Sequence, residues 1–137
     1  QGPCQIIVGD AAELLIGEQL GISSSAIICH HKIHIGDRVL IGGNVVIYDT
    51  DFHSLDPISR IERESDEAER LYKPVIIGSD VFIGAHSTIL KGVTIGDGAI
   101  VGACSVVTKN IPAGEIWAGN PAKFIRRQGP SHAIRVA

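Results

Sequence analysis

Aromatic residues are scarce in this 137-residue sequence, at 4% of the total, although hydrophobic residues reach 45%. A core with so few large rings must be filled mainly by Ile, Val and Ala. No stretch reaches the roughly 18 apolar residues that mark a membrane-spanning helix, and no signal-peptide pattern opens the chain. The length suits one domain, and we expect a cytoplasmic protein with no membrane insertion.

Strong charge, metal-type cysteine spacing and a phosphate loop are lacking too. The formal net charge is only −3, which provides no general attraction to nucleic acid. Cys4, Cys29 and Cys104 are odd in number and lack the spacing of a metal site, so we expect reduced thiols. The 16 glycines are dispersed and form no phosphate-binding run before a helix. Nucleotide hydrolysis by a P-loop is therefore not expected.

The main pattern that is present has a period of six residues. An aliphatic residue stands at Ile35, Ile41 and Ile47, and again at every sixth position from Ile77 to Val107. The residue four positions further on is apolar or small, so both can point inward while the residues between them form turns. A fixed short period indicates a solenoid. Its β-branched runs, bounded by Gly and Asp, predict strands of about five to six residues.

Every third repeat departs from this pattern in one respect. Gly follows the aliphatic residue in the other repeats, but Tyr48, Leu90 and Thr108 take its place in every third one. The true unit is therefore three hexapeptides, which is what a coil with three flat faces requires. Stacked coils of this kind predict an all-β parallel β-helix.

The six-residue pattern is interrupted twice, and it ends near Trp117. Seven residues instead of six separate Ile28 from Ile35, which we interpret as a bulge at a corner. Residues 54–74 are charged and poor in Gly, and loops of this length are often functional; we expect an excursion with a helical turn in RESDEAERL. The segment around Trp117 leaves the repeat, and we expect it to form a short C-terminal cap over the exposed strand edges.

The period singles out His53, just before the long loop. Counting on from Ile47 places His53 where an aliphatic residue should stand, with Asp51 at the small position before it. Buried polar groups are costly when unpaired, so either these two side chains satisfy one another or the chain has already left the coil. A neutral imidazole at this rim suits removal of a proton from an attacking hydroxyl. Asp51 or Asp49 would orient the ring, or would simply form the turn.

Three runs carry a family resemblance: IGDRVLIGGNVVI, IGSDVFIGAHSTILKGVTIGDGAIVGACSVV and AGNPAKFIRR. Over about residues 14–127 the chain resembles the hexapeptide-repeat acyltransferases, and among them the galactoside, maltose and colanic-acid O-acetyltransferases. The resemblance implies a left-handed parallel β-helix and a homotrimer with active sites between subunits. We assign residues 1–127 to one such domain and expect residues 128–137 to be a disordered tail.

The resemblance also implies a reaction and its residues. The family's catalytic histidine lies in a segment similar to IYDTDFHSLDP, which makes His53 the general base, with Asp51 as its candidate partner. The reaction would be acetyl-CoA-dependent transfer to a hydroxyl of a sugar or glycan precursor, with no metal required. Asn44 matches an asparagine that contacts the acceptor. The expected coenzyme contacts are the smaller stacking residue Phe82, the main chain at Ala85 and Ala103, and the phosphate-binding side chains of Lys109, Arg126 and Arg127.

Three other functions stay open. A metal enzyme of the γ-carbonic anhydrase type would use His53 and His86 as ligands, but the expected third histidine is missing from GVTIGDGAIVGA. An N-acetyltransferase acting on an amino sugar would use anionic groups near His53, which Asp49, Asp51 and Asp56 could supply. An inactive β-helix scaffold is the third alternative, because repeat folds survive the loss of activity.

Overall fold

The structure is a computed structural model that describes residues 2–129. Its strands stack into three flat faces around one axis. Face 1 consists of β1 (Gln5–Val8), β4 (Ala26–Cys29), β7 (Val46–Tyr48), β10 (Thr88–Ile89) and β13 (Val106–Val107). Face 2 consists of β2 (Glu13–Ile16), β5 (Lys32–Ile35), β8 (Val75–Ile77) and β11 (Thr94–Ile95). Face 3 consists of β3 (Gly21–Ile22), β6 (Leu40–Ile41), β9 (Phe82–Ile83), β12 (Ile100–Val101), β14 (Glu115–Gly119) and β15 (Ala122–Arg127).

The chain visits the three faces in turn, so each strand of the coil pairs in parallel with the strand one coil later. The predicted parallel β-helix is confirmed. Most strands are shorter than predicted, however, and seven of the fifteen described strands contain only two residues. The reason is geometric: a hexapeptide that must also turn a corner keeps only about two residues in the hydrogen-bonded ladder. The predicted tail falls outside the described residues from position 130 onward.

The inward positions predicted from the period form the core. Every aliphatic residue of the six-residue series is no more than 3% exposed, and so is every residue four positions after it except Asp51, which follows Ile47 where the chain leaves the coil. Each buried Ile or Val stabilises the coil by roughly 1.5–3 kcal/mol. The two serines of the series are buried as well, and both hydroxyls donate to the carbonyl oxygen of Gly102, from Ser87 at 3.0 Å and from Ser105 at 2.6 Å.

Two of the three corners are stacked ladders. We call them the 2–3 corner and the 3–1 corner, after the faces that they join. At the 2–3 corner a side chain from each coil accepts an amide N–H from the coil before it: Asp37 from Glu18 at 2.8 Å, and Asp97 from Ser79 at 2.8 Å. At the 3–1 corner successive coils approach so closely that a Cβ on Gly84 would lie 2.5 Å from the backbone nitrogen of Ala103.

The 1–2 corner is built differently, and both sequence interruptions occur there. The extra residue of the seven-residue spacing lies in the connection between β4 and β5, as predicted. The fully buried carboxylate of Asp49 organises this bulge from the next coil. It accepts three backbone N–H groups, from His30 at 2.8 Å, His31 at 2.7 Å and Lys32 at 2.6 Å.

The long excursion leaves from and returns to the same corner. It contains a 3₁₀ turn at Ser59–Ile61 and the helix α1 (Arg63–Ala68), which confirms the predicted helical turn. An antiparallel bridge between Thr50 and Tyr72 closes its stem. At the far end of the solenoid β14 and β15 form an antiparallel hairpin. No helix within residues 2–129 has the length and apolar character needed to cross a membrane.

Candidate active site

His53 lies at the 1–2 corner, where the chain leaves the coil, and its side chain is 67% exposed. Asp49 and Thr50, both fully buried, are the last residues enclosed by the coil before the excursion. Of the two arrangements that the sequence left open, the structure has the one in which the chain has already turned out of the coil. The imidazole is therefore available to a bound molecule.

A carboxylate from the excursion holds this ring. Nδ1 of His53 lies 2.8 Å from Oδ2 of Asp66, on α1, and the Asp66 side chain is only 7% exposed. The amide of Ser54 donates to the other carboxylate oxygen at 2.7 Å. The hydrogen bonds from the Ser54 amide and from His53 lower the pKa of Asp66, so it is ionised at neutral pH. An ionised acceptor at Nδ1 favours the tautomer with its proton on Nδ1 and a free lone pair on Nε2.

The two aspartates proposed from the sequence have other partners. Asp51 pairs with Lys91, with 3.2 Å between Oδ1 and Nζ, and Asp49 is occupied by the three corner amides. Among residues 2–129, Asp66 is the one whose carboxylate contacts the His53 ring. The sequence offered no signal for this residue, because the loop around it is rich in acidic side chains and has no fixed phase relative to the coil.

A second group of predicted residues gathers at the 3–1 corner. Asn44, Ala85 and Ala103 lie there in successive coils, and the nearly half-exposed ring of Phe82 stands on face 3 just before the corner. The backbone of Asn44 is left-handed, with φ of 57°. The strand β7 separates Asn44 from the 1–2 corner, so the structure does not bring these residues together with His53 in one chain.

A third group surrounds a cavity of about 210 Å³ under the C-terminal hairpin. The cavity combines two ammonium groups with two aromatic side chains, and its lining consists of Thr108, Lys109, Trp117, Pro121, Ala122, Lys123 and Phe124. The indole N–H of Trp117 is buried without a hydrogen-bond partner among the described residues. Lys109 was expected from the sequence, whereas Lys123 was not. Arg126 and Arg127 are exposed on β15 and do not line the cavity.

The two histidines of the metal-enzyme alternative lie apart. His53 is at the 1–2 corner, and His86 is at the 3–1 corner with φ of 61°. Within residues 2–129 no three His, Cys, Asp or Glu side chains are grouped as metal ligands. A metal bound by both histidines would therefore need them from different chains.

Two family models of hexapeptide-repeat proteins match parts of this sequence. The family model described as "Bacterial transferase hexapeptide (six repeats)" matches residues 74–109. A second model, "Hexapeptide repeat of succinyl-transferase", matches residues 26–49. The two matches lie on either side of the excursion, which agrees with an insertion into a regular coil.

Solved structures extend the similarity over most of the chain. A hexapeptide-repeat acetyltransferase from Vibrio cholerae is 36% identical with a TM-score of 0.74, over 83% of this chain and 62% of that one. A maltose O-acetyltransferase from Clostridium difficile is 32% identical with a TM-score of 0.72, over 92% of this chain and 68% of that one. A galactoside acetyltransferase in complex with coenzyme A is 30% identical with a TM-score of 0.64, over 90% of this chain and 64% of that one. The chain thus spans about two thirds of the length of these relatives, and it belongs to the hexapeptide-repeat acetyltransferases.

Proposed function

We propose that the chain transfers an acetyl group from acetyl-CoA to a hydroxyl of a sugar or glycan precursor, with His53 as the general base. The observation that carries the proposal is the exposed imidazole of His53, which a buried carboxylate holds at 2.8 Å through Nδ1. Two of the related enzymes are named for sugars, maltose and galactoside. A cytoplasmic location belongs to the same proposal.

The site residues would act in the following way. Acetyl-CoA supplies the thioester carbonyl that the acceptor hydroxyl attacks. Nε2 of His53 takes the hydroxyl proton during the attack and gives it to the departing thiolate, so the ring ends the cycle neutral. Asp66 stays ionised and stabilises the imidazolium between these two transfers. A backbone amide near Ala85 or Ala103 would stabilise the negative charge on the carbonyl oxygen.

The expected coenzyme surface has the chemistry that acetyl-CoA requires. Lys109 and Lys123 bring two positive charges to the 210 Å³ cavity, beside the rings of Trp117 and Phe124. An adenine ring suits the aromatic side chains, and phosphates suit the cations. Arg126 and Arg127 extend the positive charge along β15. The galactoside acetyltransferase relative was solved with coenzyme A bound.

The separation of the two corners supports a site shared between chains. His53 and Asn44 lie at opposite ends of β7, so a reaction that uses both requires a second copy. The excursion also exposes apolar side chains that suit burial against a neighbour: Leu55 at 67%, Ile58 at 75% and Ile61 at 80%. We propose a homotrimer in which His53 of one subunit meets the 3–1 corner of the next.

Thiol release from acetyl-CoA, measured against a panel of sugars and nucleotide sugars, tests the proposed reaction. We expect acceptor-dependent release that falls by roughly 10²–10⁴-fold in His53→Ala, the usual contribution of a general base. His31→Ala is the matched control, because its exposed side chain belongs to the same corner and only its amide contacts Asp49. An active His53→Ala variant would refute the role of the base.

The same assay distinguishes the alternative functions. Turnover with amino sugars alone would indicate N-acetylation. Absence of acetyl-CoA binding would favour a scaffold or, if purified protein contains metal, a metal enzyme.

Mixed oligomers test the shared site. His53→Ala chains and Arg126→Ala chains are first assayed alone. Refolded together, they should show more activity than the mean of the two separate samples, because some sites then combine two intact surfaces. Sedimentation analysis of the same mixture would confirm that the oligomers have formed. Mixed oligomers without any recovery would show that each site lies within one chain.

A further inference from the structure

Three ring-bearing side chains gather beside His53, in a protein with few aromatic residues. The ring centroids of Phe52 and Tyr48 are 5.0 Å apart at an angle of 55°. Those of Phe52 and His30 are 6.2 Å apart at 74°. All three side chains are partly exposed. Together they form a small ring cluster, and one of its members, Phe52, directly precedes the proposed base in the chain.

The backbone at Phe52 is unusual for a bulky residue. Its φ is 65°, in the left-handed region that large side chains rarely adopt. The amide of Phe52 donates to the hydroxyl oxygen of the fully buried Thr50 at 2.9 Å, and the amide of His53 donates to the carbonyl of Asp51 at 2.7 Å. Such strain persists only where the surroundings enforce it, and it is concentrated at functional sites.

Polar groups border this ring cluster. Burial and, secondarily, the charge of Asp51 raise the pKa of Tyr48, so its hydroxyl stays protonated and can both donate and accept hydrogen bonds. The carboxylate of Asp51 pairs with Lys91 and is 22% exposed. The flat face of the Phe52 ring, flanked by the tilted rings of Tyr48 and His30 and bordered by polar groups, matches a pyranose ring, whose one face presents C–H groups while hydroxyls project from its edge.

We propose that Tyr48, Phe52 and His30 form an aromatic platform on which the acceptor sugar lies, so that the acceptor is a pyranose with its C–H face on the Phe52 ring. The inference rests on the proposed function and adds to it the part of the acceptor that the chain recognises. The ring of the sugar would lie against the platform, and one hydroxyl at its edge would point towards Nε2 of His53. An open-chain polyol has the same hydroxyls but no rigid C–H face, and it should bind poorly.

The test compares Phe52→Gly with Phe52→Tyr. Glycine accepts the left-handed backbone and removes only the ring, whereas tyrosine keeps the ring. We expect Phe52→Gly to raise the KM for a methyl pyranoside roughly tenfold, to leave the KM for acetyl-CoA unchanged, and to bind sorbitol no worse than the wild type does. Phe52→Tyr should behave as the wild type. Tyr48→Leu, which does not alter the strained backbone, should raise the pyranoside KM in the same way and replaces Phe52→Gly if that variant does not fold.

Saturation-transfer NMR separates this proposal from the proposed function. The experiment reports pyranoside binding without turnover, and we expect the strongest transfer to the protons of one sugar face, lost in Phe52→Gly. Pyranoside binding that depends on Phe52 but gives no acetyl transfer would refute the function and support the platform. Acetyl transfer whose pyranoside KM is the same in Phe52→Gly, or sorbitol bound as well as the pyranoside, would overturn the platform alone.

Discussion

The stacked corners and the 1–2 corner solve the same turning problem in different ways. At the 2–3 and 3–1 corners, close backbone approach at residues such as Gly36 and Gly84 holds each coil on the next. At the 1–2 corner the buried carboxylate of Asp49 joins two coils instead, because it accepts hydrogen bonds from three backbone amides of the bulge. The stacked corners therefore leave little space for added atoms at these close glycines, while the third corner carries an insertion, an exposed histidine and an aromatic cluster. In this solenoid the regular corners hold successive coils together, and the irregular corner accommodates the departures from the repeat.

The largest effect should come from breaking a stacked corner. Gly84→Ala would place a Cβ 2.5 Å from the backbone nitrogen of Ala103, and overpacking of this kind should lower the free energy of unfolding by about 3 kcal/mol. Gly43→Ala, at the same corner, is the control, because its nearest neighbour would be the Ser23 carbonyl oxygen at 4.0 Å. Urea unfolding measures both. Equal stabilities would mean that close stacking does not constrain this corner.

The next effect concerns the carboxylate of the 1–2 corner. Asp49→Asn replaces one acceptor oxygen by an NH₂ group that would face backbone N–H donors, and we expect a loss of about 2 kcal/mol in the free energy of unfolding. Asp51→Asn breaks only the partly exposed pair with Lys91 and should cost less than about 1 kcal/mol. Comparable losses in the two variants would contradict the view that Asp49 organises this corner.

The substitution Asp66→Asn should alter the catalytic rate more than the free energy of unfolding. Asp66→Asn should reduce kcat by about tenfold to a hundredfold with an unchanged KM for acetyl-CoA, because the amide no longer fixes the His53 tautomer. Asp66→Glu should restore part of the activity. An unchanged kcat in the asparagine variant would show that His53 does not depend on Asp66.

The same residue predicts a pH dependence of stability. The pKa of Asp66 is lowered in the folded protein, so its stabilising effect is complete above the unfolded value of about 3.9. That effect is lost as the pH falls through the folded pKa. The Tm of the wild type should therefore exceed that of Asp66→Asn at pH 5, and the difference should shrink as the pH falls below 4. A difference that stays constant or grows between pH 4 and pH 2 would contradict the assignment.

The smallest effect should come from a surface pair at a stacked corner. Arg38 and Asp80 form an ion pair between neighbouring coils with 2.7 Å between Nε and Oδ1, but both side chains are more than half exposed. We expect Arg38→Gln to change the Tm by no more than about 1 °C, and the change to disappear at 0.5 M salt. A large, salt-independent loss would show that side-chain charges, and not the glycine ladder, hold this corner together.

The sequence predicted the inward residues better than the strand lengths, for a physical reason. The period of Ile77 to Val107 reports which side chains are buried, and all of them are. It does not report how many residues each corner removes from the hydrogen-bonded ladder, and so the strands proved shorter than expected. The seven-residue spacing was interpreted correctly, but its partner Asp49 lies one coil away and could not be identified from spacing alone.

The same distinction applies to the residues of the candidate site. The position of His53 where the chain leaves the coil was predictable, because the residue breaks the period at a fixed point, whereas Asp66 lies in a loop whose path the repeat does not determine. The exceptions to the glycine pattern carry a second signal. Tyr48, Leu90 and Thr108, the residues that replace glycine, mark the 1–2 corner in three successive coils, and this is the corner where His53 and Lys109 lie. Exceptions to a repeat can therefore indicate which corner of a solenoid departs from the regular structure.

The bridge between Thr50 and Tyr72 separates the excursion from the register of the coil. The loop leaves after Thr50 and returns through the bridge to Tyr72, and β8 then pairs with β5 in register, Ile33 opposite Val75. The solenoid thus resumes at the next level, with the 21 residues of the excursion kept outside its register. We expect that a loop of another length, grafted onto this stem, would leave the phase and the core of the coil unchanged.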